Sequence, residues 1–369
     1  MKTNSNYRTA IVLQGGGALG AYEFGVLKAL YEKRSNFKPS VVTGISIGAI
    51  TTAVLAGAKG NPIQTLDLLW REKLTVLPPL PPIFQLAYQH FMPSEFQQSL
   101  AALGNPGMYR LRPEYLYAPL LCTSVYDLAP LRQTLAELVD LEKLNNGGIR
   151  VAVGAINIGT SLIKYFDNND GRLSFDHVIA SGSLPPGFPM MKIDENQYWD
   201  GGLFSNTPLS RAINYLEALD SDNPDILREL IVVELFPMEG SIPKNIMEVL
   251  NRMIQLQYTS RLMLDRKFFR KINAFIDLIQ KINAIVPKDS DIRQDEGYRE
   301  LCSHKKIDAF KVISASLAHE LSNAADFSKA SIEARIEAGY RDAIVQRIEE
   351  YTSTYDELHR QVWGVGDIT

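Results

Sequence analysis

The first regular feature along the chain has no helical period: Thr9-Ala10-Ile11-Val12-Leu13-Gln14 is short, apolar and rich in β-branched residues. Such a run predicts a strand buried on both faces. Gly15 to Gly20 interrupts it, and the stretch Ala21 to Lys33 then sets Phe24, Leu27 and Leu30 three apart, the spacing of one helix face. Val41 to Ile45 repeats the strand pattern, and the small-residue stretch Ala49 to Ala58 repeats the helix. Further apolar runs at Arg150 to Ile158, Leu162 to Asp167 and Leu230 to Phe236 read as strands, with a covering helix at Pro208 to Leu219. Strands alternating with helices predict an α/β fold, a mostly parallel sheet covered by helices.

Two regions break the alternation. Leu74 to Phe96 carries Pro78, Pro79, Pro81, Pro82 and Pro93 among Leu80, Ile83, Phe84, Leu86, Phe91 and Met92. Prolines at that density forbid a long regular helix at its start. An apolar, proline-broken insertion suits a lid or lipid-facing surface, and equally a loop packed on the domain. The tail after about Ser241 is helical by composition. Within it, Asn245 to Ala284 interleaves Arg261, Arg266, Lys267, Arg270 and Lys271 with Leu262, Leu264, Phe268, Phe269 and Phe275. That pattern fits an amphipathic helix lying on anionic lipid, or a solvated face over a core face.

Bulk composition adds limits. The 369 residues are 46% hydrophobic, enough for one large catalytic domain with an appended region, or for two domains. The net charge of -4 provides no global field for nucleic acid. No secretory apolar core follows Met1, and no apolar run is long enough to span a bilayer. Cys122 and Cys302 form no CxxC and read as ordinary thiols. The expectation is a soluble, cytoplasmic protein with room for peripheral membrane contact; export by a route lacking a classical signal stays compatible.

The chemistry lies in short motifs. Gly44-Ile45-Ser46-Ile47-Gly48 is a G-x-S-x-G pentapeptide between a strand and a helix. On that turn a serine hydroxyl stands out of the sheet at the positive end of a helix, placed to attack an ester carbonyl. The loop Gly15-Gly16-Gly17-Ala18-Leu19-Gly20 formally satisfies the dinucleotide fingerprint, but the second strand ends in Val42-Thr43-Gly44 without the carboxylate that would bind a ribose. Its consecutive N–H groups at a helix start suit an oxyanion better.

Serine needs a base. Of His90, His177, His304, His319 and His359, none sits in a recognisable motif, and His177 reads as a capping or surface residue. Asp200, in Tyr198-Trp199-Asp200-Gly201-Gly202, is the better candidate, although Asp-Gly alone is also a common turn. No His, Cys or acid set shows metal-ligand spacing.

Taken in order, Gly15-Gly16-Gly17-x-x-Gly20, Gly44-x-Ser46-x-Gly48 and Asp200-Gly201-Gly202 resemble the patatin-like phospholipase family. Ala180-Ser181-Gly182-Ser183-Leu184-Pro185-Pro186-Gly187-Phe188-Pro189 is similar to the segment before that family's aspartate. The tail from Asp326-Phe327-Ser328 to Ala343 resembles the C-terminal extension of a bacterial subgroup. The resemblance implies a three-layer α/β/α fold, with a catalytic domain at 9–213, a sheet completed by 229–237, the insertion at 74–96 and a helical extension at 241–369. It implies Ser46 as nucleophile, Asp200 as base, oxyanion N–H groups from Gly15, Gly16 and Gly17, and no cofactor or metal. Leu19 departs from the family, many members of which carry Arg or Lys there.

The expected function is a serine acyl hydrolase cleaving fatty-acyl esters of phospholipids, lysophospholipids or neutral lipids. An acyltransferase is the alternative, though malonyl-transferase-like enzymes place His where this chain has Ile45. A lipid-binding regulator with a vestigial site is the non-enzymatic one. Head group, chain length and oligomeric state leave no mark on the sequence.

Overall fold

A computed structural model describes residues 7–75, 104–220, 223, 225–236, 242–243, 246–318 and 321–351. Its eight-stranded sheet comprises β1 (Tyr7–Leu13), β2 (Val41–Ile45), β3 (Arg150–Asn157), β4 (Ile163–Asp167), β5 (Met191–Ile193), β6 (Asn196–Asp200), β7 (Leu227–Glu234) and β8 (Ala309–Ser314). The order is β8-β7-β1-β2-β3-β6-β5, with β4 also paired to β3. Five strands run parallel, and β4, β5 and β6 form the antiparallel end.

Side chains of a strand alternate between faces, so neighbouring residues on the central strands enter different cores. Ile11, Leu13, Val42, Val151, Val153, Ile231 and Val233 face one cluster. That cluster is built with α1 (Gly20–Lys33), α2 (Ile47–Gly57), α3 (Phe175–Ser181) and α6 (Lys329–Val345). Ala10, Val12, Val41, Ala152, Leu230 and Val232 face a second, built with α4 (Leu209–Ala218) and with Leu262 and Phe269 of α5 (Ile246–Ile285). Apolar cover on both sides explains why these strands read as continuous apolar runs. The fold is the expected three-layer α/β/α arrangement.

The region after residue 241 is mostly helical, as the composition predicts, but it also supplies β8, which pairs in parallel with β7. The strand went unread because Lys311 interrupts its apolar run. Lys311 is fully buried, and its Nζ donates to the carbonyls of Arg347 and Glu350. The tail is tied back again by Arg34, whose guanidinium forms a buried two-pronged ion pair with Glu229 of β7 (2.6 and 2.8 Å) and donates to the Ile348 carbonyl. Most of the proline-rich insertion at 74–96 lies outside the described residues, as do His90, His319 and His359.

Candidate active site

Ser46 sits between β2 and α2 with φ 56° and ψ −122°, a conformation that non-glycine residues rarely adopt. The surrounding backbone enforces it. A Cβ on Gly44 would stand 2.2 Å from the Gly48 carbonyl oxygen, and one on Gly48 would stand 2.6 Å from that of Leu13. Only glycine lets the strand, the turn and the neighbouring strand end cross so closely. Ser181 of α3 fixes the turn from the side: its Oγ accepts from the Ser46 N–H (3.0 Å) and donates to the Gly154 carbonyl (2.6 Å). The serine side chain stays partly exposed at the start of α2.

Sheet register brings Asp200 alongside. Pairing of β2 with β3 ends at Ile45 opposite Gly154, and β6 pairs with β3 at the next position, Ala155 opposite Asp200. The aspartate that closes β6 therefore abuts the serine turn across 154 residues of chain. Its carboxylate accepts the Gly202 N–H at 2.7 Å and lies near enough to the Ser46 hydroxyl for that hydroxyl to favour its charged form. Asp200 is 2% exposed. Burial raises its pKa from 3.8 to about 7, against the lowering effect of the Ser46 hydroxyl and the Gly202 N–H. A carboxylate in that range is a far stronger base than a solvated one.

The glycine loop completes the arrangement. Gly16 has extended φ, and Gly17 has φ 56°, where an added Cβ would come within 2.4 Å of the Ala324 carbonyl oxygen. Gly15 differs from the other two. Its N–H donates to Asn206 Oδ1 (3.0 Å), and its carbonyl accepts from Asn206 Nδ2 (2.7 Å). Gly15 is buried and its donor occupied, whereas Gly16 and Gly17 are partly exposed and their N–H groups have no acceptor among the described residues. Gly20 begins α1, and Leu19 is buried in the core rather than turned to the loop's open side.

Several supporting residues carry no motif. Asn206 clamps Gly15 from a sequence separation of 191. Gln14 donates to Thr207 (2.7 Å) and accepts from the Leu235 N–H (2.8 Å), joining three loops at the strand ends. From the C-terminal region, the Ala324 carbonyl accepts the Ala18 N–H (2.8 Å). Fully buried Arg335 holds that segment by donating to the carbonyls of Leu321, Asn323 and Asp326. Tyr258 of α5 closes one side, with its hydroxyl 3.2 Å from where a Gly202 Cβ would lie.

The histidines lie apart from Ser46 where they are described. His177 Nδ1 accepts from the Ser174 N–H (3.0 Å) in a capping box of α3, and its ring stacks on Phe166. His304 Nδ1 contacts Glu217 (3.1 Å). No group of His, Cys, Asp and Glu suited to a metal occurs among the described residues.

A patatin-like phospholipase domain-containing protein of Pyricularia oryzae is 39% identical over 66 residues, covering 18% of this chain and 8% of the relative. One of Neurospora crassa is 40% identical over 63 residues, covering 17% and 7%. The chain thus spans less than a tenth of the length of these relatives. Among solved structures, VipD from Legionella pneumophila aligns over 95% of this chain and 70% of its own, at 15% identity and TM-score 0.40. ExoU in the heterodimeric ExoU–SpcU complex from the type III secretion system of Pseudomonas aeruginosa aligns over 86% and 68%, at 16% identity and TM-score 0.29. A family model described as patatin phospholipase matches residues 256–351, and the model for the patatin-like phospholipase domain matches residues 11–213. Since that second match takes in more than half of the chain and includes the serine turn, the glycine loop and the Asp-Gly-Gly segment, the chain belongs to the patatin-like phospholipase family.

Proposed function

We propose that this chain is a serine acyl hydrolase acting on fatty-acyl esters of lipids through a Ser46–Asp200 dyad. Family membership supports lipid acyl hydrolysis in general terms. The observation that carries the finer reading is the buried Asp200 carboxylate that sheet register sets beside the Ser46 turn, its pKa raised by burial to about 7.

Asp200 takes the hydroxyl proton as Ser46 Oγ attacks the acyl carbon. The oxyanion of the tetrahedral intermediate is received by the free N–H groups of Gly16 and Gly17. Gly15 serves differently from the sequence expectation, holding the loop through Asn206 because its donor is already engaged. Collapse breaks the ester C–O bond, and the leaving alkoxide takes the proton from Asp200. Water then loses a proton to Asp200, attacks the acyl-serine and releases the fatty acid, while Ser46 recovers its proton. No step requires a cofactor or metal. In this reading residues 9–213 carry the chemistry, and the region after 241 completes the sheet and buttresses the glycine loop.

Replacing Ser46 with Ala should abolish turnover of a p-nitrophenyl acyl ester by the folded protein; wild-type rates in that variant would remove the nucleophile assignment. Running the wild type with added glycerol or a lysophospholipid separates hydrolysis from transfer. Product appearing mainly as a new ester would move the reading to an acyltransferase.

A further inference from the structure

The longest helix of the described chain, α5, turns an apolar face to solvent. Leu264, Phe268, Ile272, Phe275 and Leu278 are all exposed, Phe268 and Phe275 by 60% and 63%. At 3.6 residues per turn these five side chains and Lys271 fall within an arc of about 120°. The opposite side, with Leu262, Phe269 and Ile276, is buried against the domain. Isolated exposed leucines need no explanation, but a continuous stripe containing two phenylalanines does.

The stripe continues towards the candidate site. Phe204, four residues after Asp200, lines a cavity of about 430 Å³ together with Phe268 and Ile272 of α5 and Ile213 of α4. Leu203 and Phe204 are themselves exposed. Charge separates this helix from the rest of the chain. Residues 246–285 contain seven Lys and Arg against three Asp and Glu, an excess of four positive charges in a chain whose net charge is -4. Of the acids, Asp277 is paired with Lys281 (2.6 Å) and Lys306 (2.7 Å).

We propose that the exposed face of α5 docks on a lipid bilayer carrying anionic head groups, with the helix lying in the interface and Phe204 directed towards the bilayer. An apolar stripe with lysines in and beside it matches acyl chains below and phosphate groups around. A second copy of the chain fits less well, because a two-fold pairing of this face would set Lys271 and its neighbours against their own counterparts. Among the described residues no helix is long and apolar enough to cross a membrane, which is consistent with a helix that lies on one. The choice of lipid as occupant rests on the acyl-hydrolase reading, while the surface itself is independent of the dyad.

The test is vesicle co-sedimentation of the full chain carrying Ser46→Ala, so that turnover cannot alter the vesicles. It should pellet with phosphatidylcholine vesicles containing phosphatidylglycerol, in a salt-sensitive manner, and at least tenfold less with phosphatidylcholine alone. Phe275→Asp combined with Leu278→Asp should lower binding at least tenfold, and Lys271→Glu should weaken it on anionic vesicles only. In the Ser46 background the same variants should keep their turnover of a soluble ester, which shows that they fold. Absence of binding, equal binding to both vesicle types, or a dimer dissociated by the double variant with no vesicle binding would each overturn the proposal. Loss of ester turnover in the wild type would instead strike the hydrolase reading and leave the docking result standing.

Discussion

Acidification is the most informative perturbation of the proposed chemistry, because Asp200 must be ionised to take the proton of Ser46. Its pKa lies at about 7 instead of 3.8 through burial. The ionised fraction, and with it kcat/KM, should fall about tenfold for each pH unit below 7, reaching about one-hundredth of its plateau at pH 5. An unshifted carboxylate would leave the rate flat across that range. The assay is initial-rate hydrolysis of a soluble acyl ester from pH 5 to 9, corrected for spontaneous hydrolysis. Asp200→Asn should lower kcat by about 10²–10⁴ and remove the inflection, since the amide oxygen still accepts from Gly202 but the base is gone. His177→Gln should leave the inflection in place, because that imidazole caps α3 and stacks on Phe166. Stability should move the other way. A carboxyl whose folded pKa is raised contributes fully below its unfolded pKa and loses that contribution as pH rises through about 7. Asp200→Asn should therefore exceed the wild type in stability at pH 8 by up to about 4 kcal/mol, the gain shrinking towards pH 4. A rate that is flat from pH 5 to 8, or an inflection that survives in Asp200→Asn, would refute the reasoning.

Two further substitutions test the framework around the dyad. Asn206→Ala removes both hydrogen bonds to Gly15; kcat should fall about tenfold to a hundredfold with KM changed far less, as steady-state kinetics will read, because the loop loses its alignment. Glu229→Gln leaves Arg34 charged and buried without its carboxylate, and should cost about 3–5 kcal/mol in denaturant unfolding.

The parts of the site legible in the sequence are those where local backbone geometry dictates residue type. Gly44 and Gly48 are forced by a crossing of backbones, Gly17 by its positive φ, and Asp200 announces itself by the two glycines after it. Local patterning also located β1, β2 and the helices that follow each, α1 and α2, since burial on both faces makes the strands uniformly apolar. What escaped depends on long-range partners. Asn206 and Ser181 act on residues 191 and 135 positions away, and nothing beside them in sequence marks that use. The bonding of Gly15 went unread for the same reason: three adjacent glycines look equivalent until one N–H is found bonded to Asn206. β8 went unread because a buried lysine satisfied by carbonyls looks, in sequence, like a surface position.

The most direct test of the central claim is to treat the protein with a fluorophosphonate and map the adduct by peptide mass spectrometry, in the wild type and in Asp200→Asn. A stoichiometric adduct on Ser46 that blocks ester hydrolysis, with labelling at least a hundredfold slower in Asp200→Asn, is the predicted result. A folded protein that hydrolyses the ester while Ser46 stays unmodified, or that labels equally fast without the Asp200 carboxylate, would contradict the Ser46–Asp200 dyad.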